Sequence, residues 1–154
     1  MAQPLTPPNT TSHLTKLRGL ITGETPPPAI ATLIGFVVKR VELGAVTVEL
    51  EAGARHANPM GTLHGGIICD IADAAMGFAF GTTLEDDESF TTLDLTTKFF
   101  KPIWNARIQA TAQVIKRTRT LGHIECEVTD ETGSLVAKVF SGCMVLRGKA
   151  AQGR

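Results

Sequence analysis

The sequence predicts an α+β domain in which one long helix is packed against an antiparallel sheet of about six strands. One apolar run, Gly65–Phe80, is rich in alanine and glycine and is long enough for a helix of about 24 Å. Six other segments alternate apolar and polar residues or are apolar throughout, as strands do. Since long antiparallel strands need one face covered, we expect the single long helix to cover it.

The first 28 residues are predicted to form a tail that contains one short helix. Residues 1–10 are rich in proline and threonine, which favours disorder. Ser12 is predicted to cap a helix with Leu14 and Leu17 on its apolar face, which the three prolines at 26–28 end. Residues 29–147 then form a single domain, opening with a helical turn over 29–35, and residues 148–154 form a frayed tail.

Strands one and two, FVVKRVE and VTVELEA, are predicted to form a hairpin around Leu43-Gly44. Three alternating strands follow the long helix: TTLDLTTKFF, RIQATAQVIK and HIECEV. In the first of them, Leu93, Leu95, Thr97 and Phe99 are predicted to share one face. The last strand, SLVAKVFSGCMVL, is apolar on both faces, which predicts an inner position in the sheet.

The long helix has a polar stripe that an ordinary core helix would not carry. At 100° per residue, Gly66, Asp70, Asp73 and Gly77 fall on one narrow stripe, while apolar residues cover the rest. A buried carboxylate is costly unless it has a partner, a water-filled cleft or a function. The helix starts with His64-Gly65-Gly66, and its unpaired N–H groups could stabilise an oxyanion or bind a phosphate.

Composition excludes some classes of protein. The chain has 15 acidic and 15 basic residues, which does not suit a nucleic-acid-binding domain. Three cysteines without a CxxC motif predict a reducing compartment, and neither a secretory signal nor a membrane span is expected, so we predict a cytoplasmic protein. The four histidines lack metal-ligand spacing, so no metal site is expected. Only 19% of residues are charged, which hints at surface buried between subunits.

The stretch NPMGTLHGGIICDIAD and the later TTLDLTTKFFKPI together resemble the hotdog-fold acyl-CoA thioesterases, most closely the phenylacetate-pathway (PaaI-like) branch. The matching positions are Asn58, Gly61, His64, Gly65, Gly66 and Asp73, and the resemblance covers about residues 30–146. It implies a curved sheet wrapped around the central helix, and homodimers, often stacked into homotetramers, with active sites at the dimer interface.

The resemblance also implies a role for each matching residue. The Gly65 N–H would polarise the thioester carbonyl, and Asp73 from the other subunit would be the nucleophile or general base. Asn58 and His64 would position the thioester or water, and Thr92 would lie near the carboxylate. Asp70 has no role in this scheme. Neither a cofactor nor a metal is implied, since coenzyme A is part of the substrate.

The coenzyme A half of the substrate is expected to contact the turn Lys116–Gly122, where Lys116, Arg117 and Arg119 could bind phosphates beside Gly122. Gly61 and Gly66 are also assigned to substrate binding, and Lys101 and Lys138 are weaker candidates. Phe80, Phe90 and Trp104 could line an acyl pocket or pack in the core. Two alternatives to a thioesterase remain, namely a non-enzymatic acyl-CoA sensor and a hotdog dehydratase or hydratase.

Overall fold

The computed structural model describes residues 11–153. Within this range the chain forms three α-helices, six β-strands and two 3₁₀ turns. The helices are α1 (Ser12–Thr22), α2 (Ala29–Ile34) and α3 (Gly65–Gly81), and the 3₁₀ turns are Ala54–His56 and Gly148–Ala151. The strands are β1 (Val37–Glu42), β2 (Ala45–Ala52), β3 (Glu88–Phe99), β4 (Ala106–Arg117), β5 (Leu121–Asp130) and β6 (Leu135–Arg147). None of the helices in residues 11–153 combines the length and the apolar character needed to cross a membrane.

The six strands form one antiparallel sheet in the order β1-β2-β4-β5-β6-β3. The predicted hairpin of β1 and β2 is present and turns at Leu43-Gly44, where Gly44 has a φ of +73° that favours glycine. Strand β6 lies between β5 and β3, so the prediction of an inner last strand is confirmed. Strand β3 is an edge strand, and its outer backbone groups are free to pair with another chain.

Helix α3 lies across the inner face of the sheet and contacts β2, β4 and β5 most extensively. Its buried side chains fall on the predicted apolar face. From the strands, the alternating residues predicted for β4 and β5 point into the same core. The fully buried residues include Ile71, Ala72, Ala75, Ala79, Phe80, Ile108, Ala110, Ala112, Cys126 and Val128.

Two predictions for individual residues are wrong. Thr11, rather than Ser12, caps α1, because the Thr11 hydroxyl accepts a hydrogen bond from Leu14 N–H at 3.3 Å. Leu93 does not share the inner face of the strand with Leu95, because the register of β3 against β6 shifts between Thr92 and Asp94. This bulge leaves the Leu93 side chain 54% exposed and changes the phase of the alternation.

The N-terminal helix is packed onto the domain and is not a detached tail. Leu14 is 6% exposed and belongs to the core, and α1 contacts both β1 and α3. The start of the helix is held by Asp86, whose carboxylate accepts a hydrogen bond from Ser12 N–H at 2.8 Å. At the other end of the domain, the turn Gly148–Ala151 contacts β3 and β6 where a frayed segment was expected. The predicted disorder of residues 1–10 lies outside the described residues.

Gly122 is a glycine because the core leaves no room for a side chain there. A Cβ atom built on Gly122 would lie 2.1 Å from Phe80 Cε2. The Phe80 ring is fully buried and cannot move easily, since it packs edge-on against Phe90 and lies under the Arg117 guanidinium at 5.6 Å. This position therefore has a packing requirement that is independent of any ligand.

We expect Gly122→Ala to lower the free energy of unfolding by about 2–3 kcal/mol, the usual cost of forcing an extra atom into a packed core. Urea unfolding of the variant measures this loss. Gly53→Ala is the matched control, because the nearest atom to its new Cβ is 3.7 Å away, and it should unfold like the wild type. A Gly122→Ala protein of unchanged stability would contradict the packing role.

Candidate active site

Gly65 presents a free backbone donor at the start of α3. His64 caps the helix, and its Nδ1 atom accepts a hydrogen bond from Gly66 N–H at 2.9 Å. Ile67 N–H donates to the His64 carbonyl at 3.0 Å. Gly65 N–H donates no hydrogen bond to any group within residues 11–153. Since the first N–H groups of a helix carry partial positive charge, this donor is suited to an incoming carbonyl oxygen.

The loop before α3 is held by Asn58. Its Oδ1 atom accepts hydrogen bonds from Met60 N–H at 2.9 Å and Thr62 N–H at 3.1 Å, and its Nδ2 atom donates to the Thr62 hydroxyl at 2.8 Å. Gly61 has a φ of +85°, so it makes a turn that other residues would strain. Both residues therefore shape the approach to His64, and their predicted contacts with substrate stay predictions.

Asp73 lies on α3 at the wall of a cavity of about 610 Å³. The carboxylate is half-buried, and its Oδ1 atom accepts a hydrogen bond from the Thr92 hydroxyl at 3.3 Å. The predicted polar stripe of the helix faces this cavity, which Asp70 and Gly77 also line. Thr92 thus lies beside Asp73, as expected from the sequence.

The environment of Asp73 raises its pKa above the usual range of an aspartate. Burial of the carboxylate is the main cause, and the hydrogen bond from Thr92 opposes it by favouring the ionised form. A carboxyl group with a raised pKa is a stronger base once it is ionised. This suits a general base that has to remove a proton from water near neutral pH.

We expect Thr92→Val to move the acidic limb of the pH profile of kcat/KM to higher pH. Without the hydroxyl, burial alone sets the pKa of Asp73, so the carboxylate ionises later. At pH values on the acidic limb kcat/KM should fall several-fold, while kcat/KM on the alkaline plateau changes little. Thr96→Val, at an exposed position on the same strand, is the control. An unshifted profile would mean that Thr92 does not interact with the ionised carboxylate.

Asp70 lies one helical turn before Asp73 and has an unusual carboxylate. Its Oδ2 atom is buried and has no hydrogen-bond partner in residues 11–153. Burial raises the pKa of Asp70, and the negative charge of Asp73 raises it further. Ionisation of Asp70 is therefore less favourable than that of a free aspartate.

We expect Asp70→Asn to raise the melting temperature at neutral pH by about 1–3 °C, because a carboxyl group with a raised pKa destabilises the fold when ionised. In most aspartates the folded-state pKa is lowered and ionisation stabilises the fold, whereas ionisation of Asp70 destabilises it. The contribution of Asp70 to stability is present below its unfolded pKa and is lost as the pH rises through its folded pKa. Melting scans at pH 7 and pH 3.5 check this, and the difference should vanish at the lower pH. A lower melting temperature at pH 7 would contradict it.

Gly65 and Asp73 cannot act on one carbonyl group within one chain. They are eight residues apart on the same helix, which places them about 12 Å apart along its axis. On α3, the residues that line the cavity begin at Asp70 and include neither His64 nor Gly65. The Gly65 N–H and the Asp73 carboxylate therefore meet at one carbonyl group only if a second copy of the chain supplies one of them.

One cation of the turn between β4 and β5, Arg117, already belongs to an ion-pair network within the chain. Arg117 lies 2.7 Å from the buried carboxylate of Glu88, which also pairs with Arg147. Burial opposes ionisation of Glu88, but the Glu85 N–H and the two guanidinium groups outweigh it and lower its pKa. Lys116 and Arg119 are exposed at the same turn and remain candidates for coenzyme A phosphates.

The other predicted ligands have separate environments. Lys101 pairs with Asp130, and Lys138 lies 2.9 Å from Glu125 and 3.1 Å from Glu127. The three aromatic candidates for the acyl pocket lie in different places. Phe90 lines the cavity, Phe80 is buried in the core, and Trp104 is exposed in a loop. Within residues 11–153 no three His, Cys, Asp or Glu side chains cluster closely enough to hold a metal.

One wall of the cavity is formed by residues that the sequence did not predict to lie there. His13, Lys16 and Leu17 of α1 and Ile30 of α2 line it together with α3 and β3. The only available signal was the amphipathic pattern of α1, which indicates that the helix packs but does not indicate where.

Comparisons with known proteins agree with this geometry. A sequence model described as the thioesterase superfamily matches residues 60–137. The chain is 29% identical to a 1,4-dihydroxy-2-naphthoyl-CoA hydrolase of Listeria monocytogenes, over 73% of this chain and 89% of the relative. It is 30% identical to human acyl-coenzyme A thioesterase 13, over 62% of this chain and 69% of the relative.

Solved structures share the same fold. The phenylacetic acid degradation protein PaaI of Thermus thermophilus, solved as a variant, superposes with a TM-score of 0.71 and 27% identity, over 76% of this chain and 98% of that protein. The Escherichia coli PaaI protein superposes with a TM-score of 0.77, over 89% of this chain and 98% of that protein. The chain therefore belongs to the thioesterase superfamily, as a PaaI-like thioester hydrolase with the hotdog fold.

Proposed function

We propose that this protein hydrolyses an aryl- or medium-chain acyl-CoA to the free acid and coenzyme A, at a site shared between two subunits. The observation that carries the proposal is the arrangement along α3, a free N–H at Gly65 and a half-buried carboxylate at Asp73 about 12 Å away. Named relatives act on aryl-CoA and acyl-CoA thioesters, which supports this substrate class.

The proposed reaction uses only groups of the chain and water. The thioester carbonyl oxygen accepts a hydrogen bond from Gly65 N–H, which stabilises the negative charge that develops there. Asp73 of the other subunit removes a proton from water, and the oxygen attacks the carbonyl carbon. The carbon–sulfur bond then breaks, and the coenzyme A thiolate takes up a proton. Direct attack by the carboxylate is the alternative route. Neither route needs a metal or a cofactor.

The edge strand β3 supports a dimer that completes this site. Gly65 lies beside Phe99 at one end of β3, since a Cβ on Gly65 would be 3.1 Å from the Phe99 ring. Asp73 lies beside Thr92, near the other end. An antiparallel pairing of two β3 strands around a two-fold axis therefore places the Gly65 end of one subunit near the Asp73 end of its partner.

Further surface favours larger assembly and coenzyme binding. Phe140, Met144 and Leu121 are exposed on the outer face of β5 and β6, which suits the stacking of two dimers into a tetramer. Lys116 and Arg119 are proposed to bind the coenzyme A phosphates at the nearby turn. The three cysteines are free thiols, which supports the proposed cytoplasmic location.

The test is hydrolysis of phenylacetyl-, hydroxybenzoyl-, hexanoyl- and lauroyl-CoA, followed by release of free thiol. Turnover of at least one thioester is expected, with a preference that names the acyl class. Tight binding of a thioester without turnover would instead favour the acyl-CoA sensor. Hydration of an enoyl-CoA without thiol release would favour the hydratase.

A further inference from the structure

The cavity at Asp73 continues along α3 towards the C-terminal end of the helix. Small residues line its floor at successive turns. Gly77 leaves space that the Phe90 ring approaches, with a distance of 3.3 Å from Phe90 Cζ to a Cβ built on Gly77. At Gly81 the corresponding neighbour is Leu17 of α1, 3.6 Å away. The cavity therefore runs along α3 from the Asp73 carboxylate, past Phe90 at Gly77, to Leu17 of α1 at Gly81.

The far end of the cavity is lined mainly by apolar side chains. Leu17, Ile30 and Leu84 line it, together with Pro28. Helix α1 is held there by the hydrogen bond between Ser12 N–H and Asp86 and by the burial of Leu14. This end of the cavity therefore has a fixed wall, which an acyl group entering from Asp73 would meet last.

One polar atom at this end has no protein partner. The Nε2 atom of His13 is buried and makes no hydrogen bond to any group in residues 11–153, although His13 lines the cavity. A buried ring nitrogen without a partner is costly, and most such atoms are hydrogen-bonded. A ligand in the cavity is a natural source of that hydrogen bond.

The length of the cavity limits the acyl group. Asp73 and Gly81 are eight residues apart on one helix, so the path between them is about 12 Å. An extended chain of single bonds advances about 1.2 Å per bond, which makes this path about ten bonds long. A medium-chain acyl group whose carbonyl is at Asp73 would place its last atom close to α1.

We propose that this cavity is the acyl subsite and that His13 binds an oxygen atom at the distal end of the acyl group. The inference rests on the proposed function and names its substrate class, medium-chain acyl-CoAs with a terminal hydroxyl or carboxylate. A hydroxyl can donate to Nε2 or accept from Nε2–H according to the tautomer of the ring, and a carboxylate accepts from Nε2–H. The exposed Lys16 lines the same end and would add charge pairing for a carboxylate.

A polar subsite and a purely apolar pocket predict opposite preferences between an acyl chain that ends in a hydroxyl and one that ends in a methyl group. A terminal hydroxyl buried among leucine and isoleucine side chains without a partner would lose binding relative to a methyl group. A site that hydrogen-bonds the hydroxyl rejects the analogue that lacks it. A preference for the oxygenated chain therefore requires a polar partner at the far end.

The experiment compares decanoyl-, ω-hydroxydecanoyl- and sebacoyl-CoA as substrates of the full-length protein. Calorimetry with the matching non-hydrolysable ketone analogues measures binding independently of turnover. The variants are His13→Leu, which removes the ring nitrogen, and His13→Gln, which keeps a donor and an acceptor. Lys16→Gln separates the carboxylate from the hydroxyl. Arg18→Gln, an exposed change on the same helix, is the control.

We expect the wild type to prefer ω-hydroxydecanoyl-CoA to decanoyl-CoA about tenfold in kcat/KM and in affinity. His13→Leu should abolish this preference, His13→Gln should keep part of it, and Lys16→Gln should weaken only sebacoyl-CoA. Equal use of both chains by the wild type, or an unchanged ratio in His13→Leu, would overturn the subsite while hydrolysis itself still supports the proposed function. If no thioester is hydrolysed, the proposed function fails, and the ketone analogues alone decide on the subsite by the same ratios.

Discussion

Asp73→Asn is expected to lower kcat about 10³-fold while KM changes little, which is the usual size of the loss when a general base or carboxylate nucleophile is removed. The amide keeps the shape of the side chain and can still contact the Thr92 hydroxyl, so the fold and the cavity should be retained. It can neither take a proton from water nor attack a thioester. Steady-state hydrolysis of the best thioester, measured by thiol release, gives the ratio.

Asp70→Asn is the matched control, because the two carboxylates share one stripe of α3 and one cavity. It should retain activity within a few-fold of the wild type, since Asp70 makes no hydrogen bond to the Asp73–Thr92 pair. Loss of turnover in the Asp70 variant with retention in the Asp73 variant would assign the chemistry to the other acid. Equal loss in both would indicate a coupled pair that shares one proton.

The helix and the strands could be predicted from the sequence because their signals are local. The run after His64-Gly65-Gly66 is apolar on three sides, and its caps and its polar stripe are set by residues within one or two turns. The apolar residues of β4 and β5 alternate regularly up to the register shift at Val114, so the buried positions Ile108, Ala110, Ala112, Ile124, Cys126 and Val128 were predicted correctly. In both cases the periodicity decides the result without knowledge of distant contacts.

Other features depend on contacts that a sequence pattern does not contain. The bulge in β3 arises from its pairing with β6, and nothing in TTLDLTTKFF marks the residue at which the register shifts. The place of α1 on the domain depends on Asp86, which is 74 residues away from Ser12. The contribution of His13 to the cavity therefore could not be predicted.

The candidate site also contains residues whose neighbours the sequence indicated and residues whose neighbours it did not. The family resemblance implies that Thr92 lies near the Asp73 carboxylate, and the structure places the two side chains in contact. Arg117 and Gly122 belong to a turn whose cations suggested phosphate binding, yet Arg117 pairs with Glu88 and Gly122 packs on Phe80. A cation in a turn carries no information about whether an acid from another strand already neutralises it.

Gly65→Pro is expected to lower kcat about 10²- to 10³-fold, the loss seen when one oxyanion donor is removed. Proline has no N–H, and Gly65 is the first residue of α3, the helix position that tolerates proline best. His64 has a φ of −63° and a ψ of 130°, which is the conformation that a residue before proline prefers. The helix should therefore form normally and lose only its free donor.

Gly65→Ala separates the donor from the added atoms. Both variants bring a Cβ to about 3.1 Å from the Phe99 ring, which is 54% exposed and can shift. Only the proline variant removes the N–H. Activity close to that of the wild type in Gly65→Ala, with a large loss in Gly65→Pro, would support the oxyanion role. Equal losses would mean that space at the helix start, and not the donor, limits the reaction.

Mixing the two inactive variants tests whether Gly65 and Asp73 of different subunits form one site. A dimer of Gly65→Pro with Asp73→Asn has one site with both native groups and one site with neither. After unfolding and refolding an equal mixture, half of the dimers are mixed, so activity should recover to about a quarter of the wild-type value. Sites contained within one chain would leave the mixture as inactive as its components. The separation of about 12 Å along α3 predicts recovery, because no single chain can bring its own donor and carboxylate to the same carbonyl group.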